Sequence, residues 1–447
     1  MEKKGVDMKK RGVILILLAM MLGMMIGCGK KPVENTNESA VAREATKEVR
    51  FMWWGSDARH AATVEAMKLF ESRNPNVKLQ AEYSGFSGYF DKLTTQLSAK
   101  TGPDLVQLSY TNVADYVKFG QLLPLDPFIE QGLISVENLS EATLDMYRFD
   151  GKLYAVPSGV STTLLFYNKD VFDAAGVAYP NESWTWNEYI ETAKKLTKDT
   201  NGDGKIDIWG TGEMVKVAGI DMSFKKYLYE RNGSLWTEDL SKVAFNSDAG
   251  IAALEFIKSF QTMGIIPPIE MTAANPDGVD DFQLGRVAMY IASSPNTMVY
   301  QEAVPNLGIE RVPAGIEKDV FWVNPSMMYS ITKDAKDPEL TASLLNFMVN
   351  DEEAGSILKI VRGTPSNSVI RANIGRSLSE IEQTMLACIQ KTTSTDFVNE
   401  PFPAGFMEIF TLVDREIQNY LFGKYKSAQE TLSILETESN KILARYI

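Results

Sequence analysis

The sequence predicts an α/β protein with two lobes, and three observations carry that expectation. Residues 49–83, VRFMWWGSDARHAATVEAMKLFESRNPNVKLQAEY, read as strand, loop, helix and strand in one unbroken run, and two strands joined through a helix form a parallel βαβ unit. The chain has 447 residues, 45% of them hydrophobic, which suits two domains better than one. Residues 151–168, GKLYAVPSGVSTTLLFYN, form two extended runs broken by Pro157-Ser158-Gly159 with no helix between them, as where a chain passes from one lobe to another.

Taken in order, the chain opens on Lys3, Lys4, Lys9, Lys10 and Arg11, then an apolar run over residues 13–26 that ends at Gly27-Cys28. A basic start, a short apolar core and a small residue before the cut make a secretory signal over residues 1–27. A permanent membrane helix needs ~20 apolar residues, more than this run offers. Met25-Ile26-Gly27-Cys28 resembles a bacterial lipobox, with Met25 where Leu is usual; lipid is then attached to Cys28 and cleavage occurs before it. Acyl chains on Cys28 would hold the protein at the extracellular face of the cell membrane. Residues 28–48 are polar, lack apolar periodicity and read as a flexible tether. Cys388 is then left without a partner and no disulfide is expected; its helical spacing in IEQTMLACIQ makes it a core residue.

The formal charge is −13, and loss of residues 1–27 removes five bases and two acids, leaving −16. Such a field repels phosphate backbones, so nucleic acid is not an expected partner. His60 is the only histidine in the sequence. A zinc site with two or three imidazoles is excluded by count, and a Ser-His-Asp or Cys-His site would have to use His60.

In the opening unit Val49, Arg50, Phe51 and Met52 favour a strand, Gly55-Ser56-Asp57 breaks it, and Val64, Met67 and Phe70 recur at helical spacing until Asn74-Pro75. Ligands of open parallel sheets bind at the carboxyl ends of the strands, which places Trp53, Trp54, Asp57 and Arg59 at such an end. Residues 89–100 read as a helix with Phe90, Leu93 and Leu97 on one face, 104–108 as a strand, 109–112 as its carboxyl-end loop and 113–119 as a helix stopped by Gly120. A second α/β region runs over 169–309, with helices at 186–198 and 248–263 and a strand at 287–291. Residues 321–331 read as extended, Asp337-Pro338 opens a helix to 349, and from 379 onward amphipathic helices prevail.

Residues 199–207, DTNGDGKID, match the first nine positions of an EF-hand-type calcium loop. Side-chain oxygens come from Asp199, Asn201, Asp203 and Asp207, and the Lys205 carbonyl stands at the seventh position. Gly210 occupies the twelfth, where a bidentate Glu is expected, and Glu213 is the substitute three residues on. No cofactor is required by the sequence; a structural calcium ion is the expectation from this loop.

The lipobox, a strand ending in Trp-Trp-Gly-Ser, then AMKLFESRNPNVKLQAEY, GPDLVQLSY, GQLLPLDPFI, GKLYAVPSG, LLFYNKDVFDAAGV, WTWNEY and LGRVAMYI in this order resemble the extracellular solute-binding proteins of carbohydrate ABC transporters. The resemblance implies a two-lobed periplasmic-binding-protein-like fold of type II, with the ligand cleft between the lobes and sugar delivered to a permease pair. Lobe I is expected from residues 49–158 and 312–362, lobe II from 159–311 and 363–447, and the protein as a monomer. The WWGSxxR opening is similar to a subgroup associated with plant cell-wall oligosaccharides, pectin-derived ones among them.

Sugars present apolar CH faces and rims of hydroxyls, so a site needs flat rings and groups that meet hydroxyls in pairs. Trp53, Trp54, Tyr83, Tyr110 and Trp322 supply rings at or near predicted strand ends; Asp57, Arg59, Glu82, Gln107 and Asn324 supply the rim. The resemblance carries ligand contact to residues 54–59, to Glu82-Tyr83 and to 107–110. In the second lobe it reaches Ser161 and Ser294 through Asn296, and on the return segment Trp322. Neighbours on a strand point opposite ways, so one of Trp53 and Trp54 faces the core; both are assigned to ligand contact, with Trp54 the favoured of the two. Trp184 and Trp186 read as a packed helix entry, Trp209 and Trp236 as core. Two other functions compete: a glycoside hydrolase, which would need an acid and base pair from Asp57, Glu82 and Asp104, and a peptide or amino-acid receptor using Asp57 with Arg59.

Overall fold

The computed structural model describes residues 46–212, 224–276, 279–320, 323–393 and 401–446. The signal segment, Cys28, the tether up to residue 45, Glu213 and Trp322 lie outside the described residues. Strand β1 (Lys47–Trp54), helix α1 (Asp57–Arg73) and strand β2 (Val77–Ser84) form the expected unit, with β1 and β2 parallel from Lys47 opposite Val77 to Trp54 opposite Ser84. Ser56 caps α1 by accepting from the Arg59 amide, and Asn74 ends it. Thr63, Ala66, Met67 and Phe70 form the buried face of α1. Helix α2 (Tyr89–Ser98) buries Tyr89, Leu93 and Leu97, one position off the expected face at Phe90. Strand β3 (Leu105–Leu108) lies parallel to β1 on its other side.

After a short hairpin of β4 (Arg148–Phe149) and β5 (Lys152–Leu153) comes β6 (Val156–Asn168), the longest strand. The remaining strands are β7 (Trp209–Thr211), β8 (Val287–Ser293), β9 (Leu307–Arg311), β10 (Val323–Ile331) and β11 (Thr364–Pro365). The sheet order is β2-β1-β3-β10-β6-β8-β7, with β9 and β11 also paired to β6. Along β6 the partners change. Val156 to Thr162 pair with β10, and Gly159 and Val160 with β11, whereas Thr163 to Tyr167 pair with β8 and Leu164 to Asn168 with β9. One continuous strand therefore serves both halves of the sheet, and the change falls at Thr162 and Thr163.

Beyond β11, Asn367 donates from Nδ2 to Asn350 Oδ1 at 2.8 Å and Ser368 N donates to Asn138 O at 3.0 Å. The chain thus still packs on the β1 half at residues 364–368, past the expected boundary at 362. The helix Glu380–Thr393 then packs on β9. Cys388 is buried beside Met385 and Ile389, and burial pushes its thiol up to about 12. Trp184 and Trp186 are buried at the entry to the helix Trp186–Leu196, where Thr185 and Glu188 form a reciprocal cap.

Candidate functional site

The carboxyl ends of β1, β2 and β3 and the partner change on β6 gather most of the sequence-assigned residues. Trp53 has no exposed surface. Its indole N–H donates to His60 Nδ1 at 3.1 Å and its ring packs on Phe51 and Tyr83, so it offers no face to a ligand. Trp54 points the other way but is also buried, at 7% exposure, under Phe86, Tyr89 and Phe90. Alternation separated the two side chains as expected, yet each side of the sheet is covered by a helix, so both indoles act as backing for rings farther out.

Those outer rings are Tyr83 and Phe86, 48% and 59% exposed. Tyr83 stacks on His60 with centroids 4.4 Å apart, and His60 in turn rests on Trp53. Phe86 meets the Trp54 ring edge-on at 5.6 Å. Because His60 Nδ1 accepts from the Trp53 indole, the neutral ring carries its proton on Nε2. Burial first, then Arg59 and Arg362, lower the His60 pKa against the opposing pull of Asp57.

Arg59 sits in the first turn of α1. Its Nε donates to Val361 O at 2.6 Å and its Nη1 to Trp54 O at 3.2 Å. Burial, followed by the neighbouring Arg362 guanidinium, brings its pKa down to about 10. Asp57 is exposed at the start of the same helix. Gln107 is fully buried; its amide donates to Trp54 O at 3.2 Å, and its Oε1 has no partner among the described residues. Tyr110 is half-buried, its ring 5.7 Å from that of Phe402.

Glu82 has a different task. It pairs with Arg50 at 2.8 Å and Lys92 at 2.7 Å and accepts from Gln96, which turns it toward α2. Burial raises its pKa, but Lys92, Gln96 and Arg50 outweigh it and the net shift is downward. It braces β2 against α2 and is withdrawn from the rim to which the sequence assigned it. Asp104 is likewise enclosed, accepting the amides of Arg50 and Lys336 at 2.7 Å each.

On β6 and β10, Ser161 and Asn324 are register partners, with Ser161 Oγ donating to Asn324 O at 3.5 Å. Ser294 Oγ accepts the amide of Thr162 at 3.2 Å, and Asn296 Nδ2 donates to the Tyr300 hydroxyl at 3.4 Å. Ser161, Asn324 and Ser294 are therefore brought together where β6 changes partners, from three segments far apart in sequence. All three are buried.

The loop 199–207 stands apart from this site. Asp199 accepts the amides of Gly202 at 2.6 Å and Gly204 at 2.7 Å, Asn201 Oδ1 accepts from Asp203 N, and Asp203 accepts from Lys205 N. Asp207 accepts from both Thr200 N and Thr200 Oγ1 at 2.7 Å. Positive φ at Gly202 and Gly204 makes this turn. Among the described residues no group of three or more His, Cys, Asp or Glu side chains is arranged to hold a metal ion, so oxygens from Asn201 and the Lys205 carbonyl would have to complete any set. A separate open groove of about 810 Å³ lies between the helices Phe406–Leu421 and Ala428–Leu443, and contains none of the sequence-assigned residues.

Phe86, His60 and Arg362 were not assigned to the site from sequence. A lone aromatic in Ser84-Gly85-Phe86-Ser87-Gly88, directly after a strand, was a usable signal for Phe86. Arg362 carries no such signal, because its place depends on the turn before β11.

Comparison with known proteins identifies the family and the fold. The profile of bacterial extracellular solute-binding proteins matches residues 55–355. A galactooligosaccharide-binding protein of Bacillus subtilis is 22% identical over 98% of this chain and 98% of its own. An arabinooligosaccharide-binding protein of the same organism is 28% identical over 56% of this chain and 54% of its own. Among solved structures, an ABC substrate-binding protein from Listeria monocytogenes in complex with cycloalternan superposes with a TM-score of 0.77 at 25% identity, covering 89% of this chain and 99% of that one. The fold is thus the two-lobed α/β architecture of type II periplasmic binding proteins, and the chain belongs to the bacterial extracellular solute-binding protein family.

Proposed function

We propose that this protein captures an oligosaccharide between its lobes, without altering it, and delivers it to the permease subunits of an ABC transporter. The observation that carries the reading is the pair of half-exposed rings, Tyr83 and Phe86, each backed by a buried tryptophan at the carboxyl ends of β1 and β2. Such rings stack on sugar CH faces, and Arg59 together with the hydroxyl and amide groups of Ser161, Ser294 and Asn324 would meet sugar hydroxyls from the other side. The relatives named for galacto- and arabino-oligosaccharides, and the cycloalternan complex, support a carbohydrate ligand. Lipid on Cys28 would keep the protein, as a monomer, at the extracellular membrane face; no helix among the described residues is long and apolar enough to cross a membrane.

The hydrolase reading is not favoured, because a general acid requires a raised pKa and Glu82 is shifted downward by its cationic partners. Calorimetry against a panel of oligosaccharides and short peptides tests the function, with chromatography of the sugars after incubation. Binding of at least one oligosaccharide with no cleavage products is expected. Binding of peptides alone, or release of shorter sugars, would contradict it.

A calcium ion in the loop 199–207 belongs to the same proposal as a structural addition, held by Asp199, Asn201, Asp203, Asp207 and the Lys205 carbonyl.

A further inference from the structure

Arg362 is 3% exposed and has no carboxylate partner among the described residues. Its Nη2 donates to Thr63 Oγ1 at 2.6 Å, while Nε and Nη1 have no hydrogen-bond partner among the described residues. The rings of Tyr329, Phe51 and Trp53 lie 5.4, 5.8 and 6.0 Å from its guanidinium carbon. Ring faces offset part of the desolvation of a cation but leave its charge standing.

Thr63 Oγ1 donates onward to Arg59 O at 2.7 Å, so one hydroxyl links the two arginines. Arg59 uses Nε and Nη1 on the carbonyls of Val361 and Trp54, which leaves Nη2 without a partner among the described residues. Burial lowers both guanidinium pKa values and the Arg362 charge lowers that of Arg59 further, while the groups that oppose the shifts are the phenols of Tyr329 and Tyr89 and no carboxylate. Both cations adjoin the first turns of α1, a helix of 17 residues whose amino end adds further positive potential. In a chain with a net charge of −13, this is a local positive centre placed at the carboxyl end of β1.

We infer that the ligand supplies the missing charge: the oligosaccharide carries a carboxylate, which Arg59 receives through Nη2, while Arg362 acts from behind as a positioning residue. This rests on the oligosaccharide reading above and narrows it to acidic sugars. Arg362 does not touch the ligand. Through Thr63 it fixes the first turns of α1, and its charge strengthens the field in which the carboxylate is held.

The test is calorimetry of the purified protein with a galacturonate trisaccharide, its fully methyl-esterified form and a galactose trisaccharide, at low and high salt. The acid is expected to bind about tenfold or more tighter than the ester, since a charge-assisted hydrogen bond is replaced by a neutral one. The preference should shrink as salt rises. Arg59→Gln should abolish the preference, with the acid losing about tenfold or more and the neutral sugars less, because only the acid loses a charge-assisted contact. Arg59→Lys should keep part of it. Arg362→Gln should weaken the acid alone; if that variant does not fold, the two Arg59 variants decide. Equal or tighter binding of the neutral sugars, or a preference that survives Arg59→Gln, would overturn the carboxylate and leave the oligosaccharide reading standing. Failure of every sugar in the wider panel would remove both.

Discussion

At the scale of single residues, the site divides into rings that carry it and rings that face outward. Phe86 is mostly exposed, so Phe86→Ala should leave the melting temperature nearly unchanged while weakening oligosaccharide binding about three- to tenfold, the range of one aromatic contact. Calorimetry and a thermal melt on the same sample check both halves. Trp53→Ala should instead destabilise the fold by about 3–5 kcal/mol, because a fully buried ring leaves a cavity. His60 gives a pH signature. Its folded pKa is lowered, so the unfolded chain binds the proton more readily, and stability falls as pH drops below the unfolded value of 6.5. Denaturant midpoints between pH 7 and pH 5 should fall less in His60→Gln than in the parent; identical slopes would contradict a His60 held neutral by burial and the nearby arginines. The opposite orientations of Trp53 and Trp54 were legible from strand alternation alone. That both would be covered was not, because burial under α1 and α2 depends on packing that no local pattern records.

At the scale of elements, β6 is the device that places the site. Before its partner change, the segment leading into β11 approaches it closely at Gly159, where a Cβ would lie 2.4 Å from Arg362 O and 3.0 Å from Thr364 O. Gly159→Ala should cost about 1–3 kcal/mol, because backbone atoms cannot rotate away; an unchanged urea midpoint would show that β11 is free to move. The Pro157-Ser158-Gly159 break was read in the sequence as an interruption between two extended runs, yet the strand runs through it, with Pro157 opposite Met328. The helices at 57–73, 186–196 and 338–350 were legible because caps and apolar spacing agree there. Glu82 was misassigned for a related reason: a carboxylate at a strand end looks the same in sequence whether it faces ligand or, as here, Lys92 on the next helix. For the loop 199–207, a melt after chelation and again with calcium should show a rise of about 2 °C on adding the ion. An unchanged midpoint would mean that the loop's own hydrogen bonds suffice.

At the scale of the whole molecule, contacts between distant segments join the parts that a ligand would have to bring together. Asp115 accepts the Gly405 amide at 2.8 Å, and Tyr110 packs against Phe402, so the carboxyl-terminal region touches the segment after β3. A hinged pair of lobes closes only as far as the ligand binds the closed form better than the open one. Family membership was legible from the order of the motifs, since each motif alone is unspecific. The gathering of Ser161, Asn324 and Ser294 at one point came only with the sheet topology. A crystal structure with an oligosaccharide bound is the most direct measurement: the sugar should lie against Phe86 and Tyr83, within hydrogen-bond distance of Arg59. A sugar seated instead between the helices Phe406–Leu421 and Ala428–Leu443 would contradict the assignment.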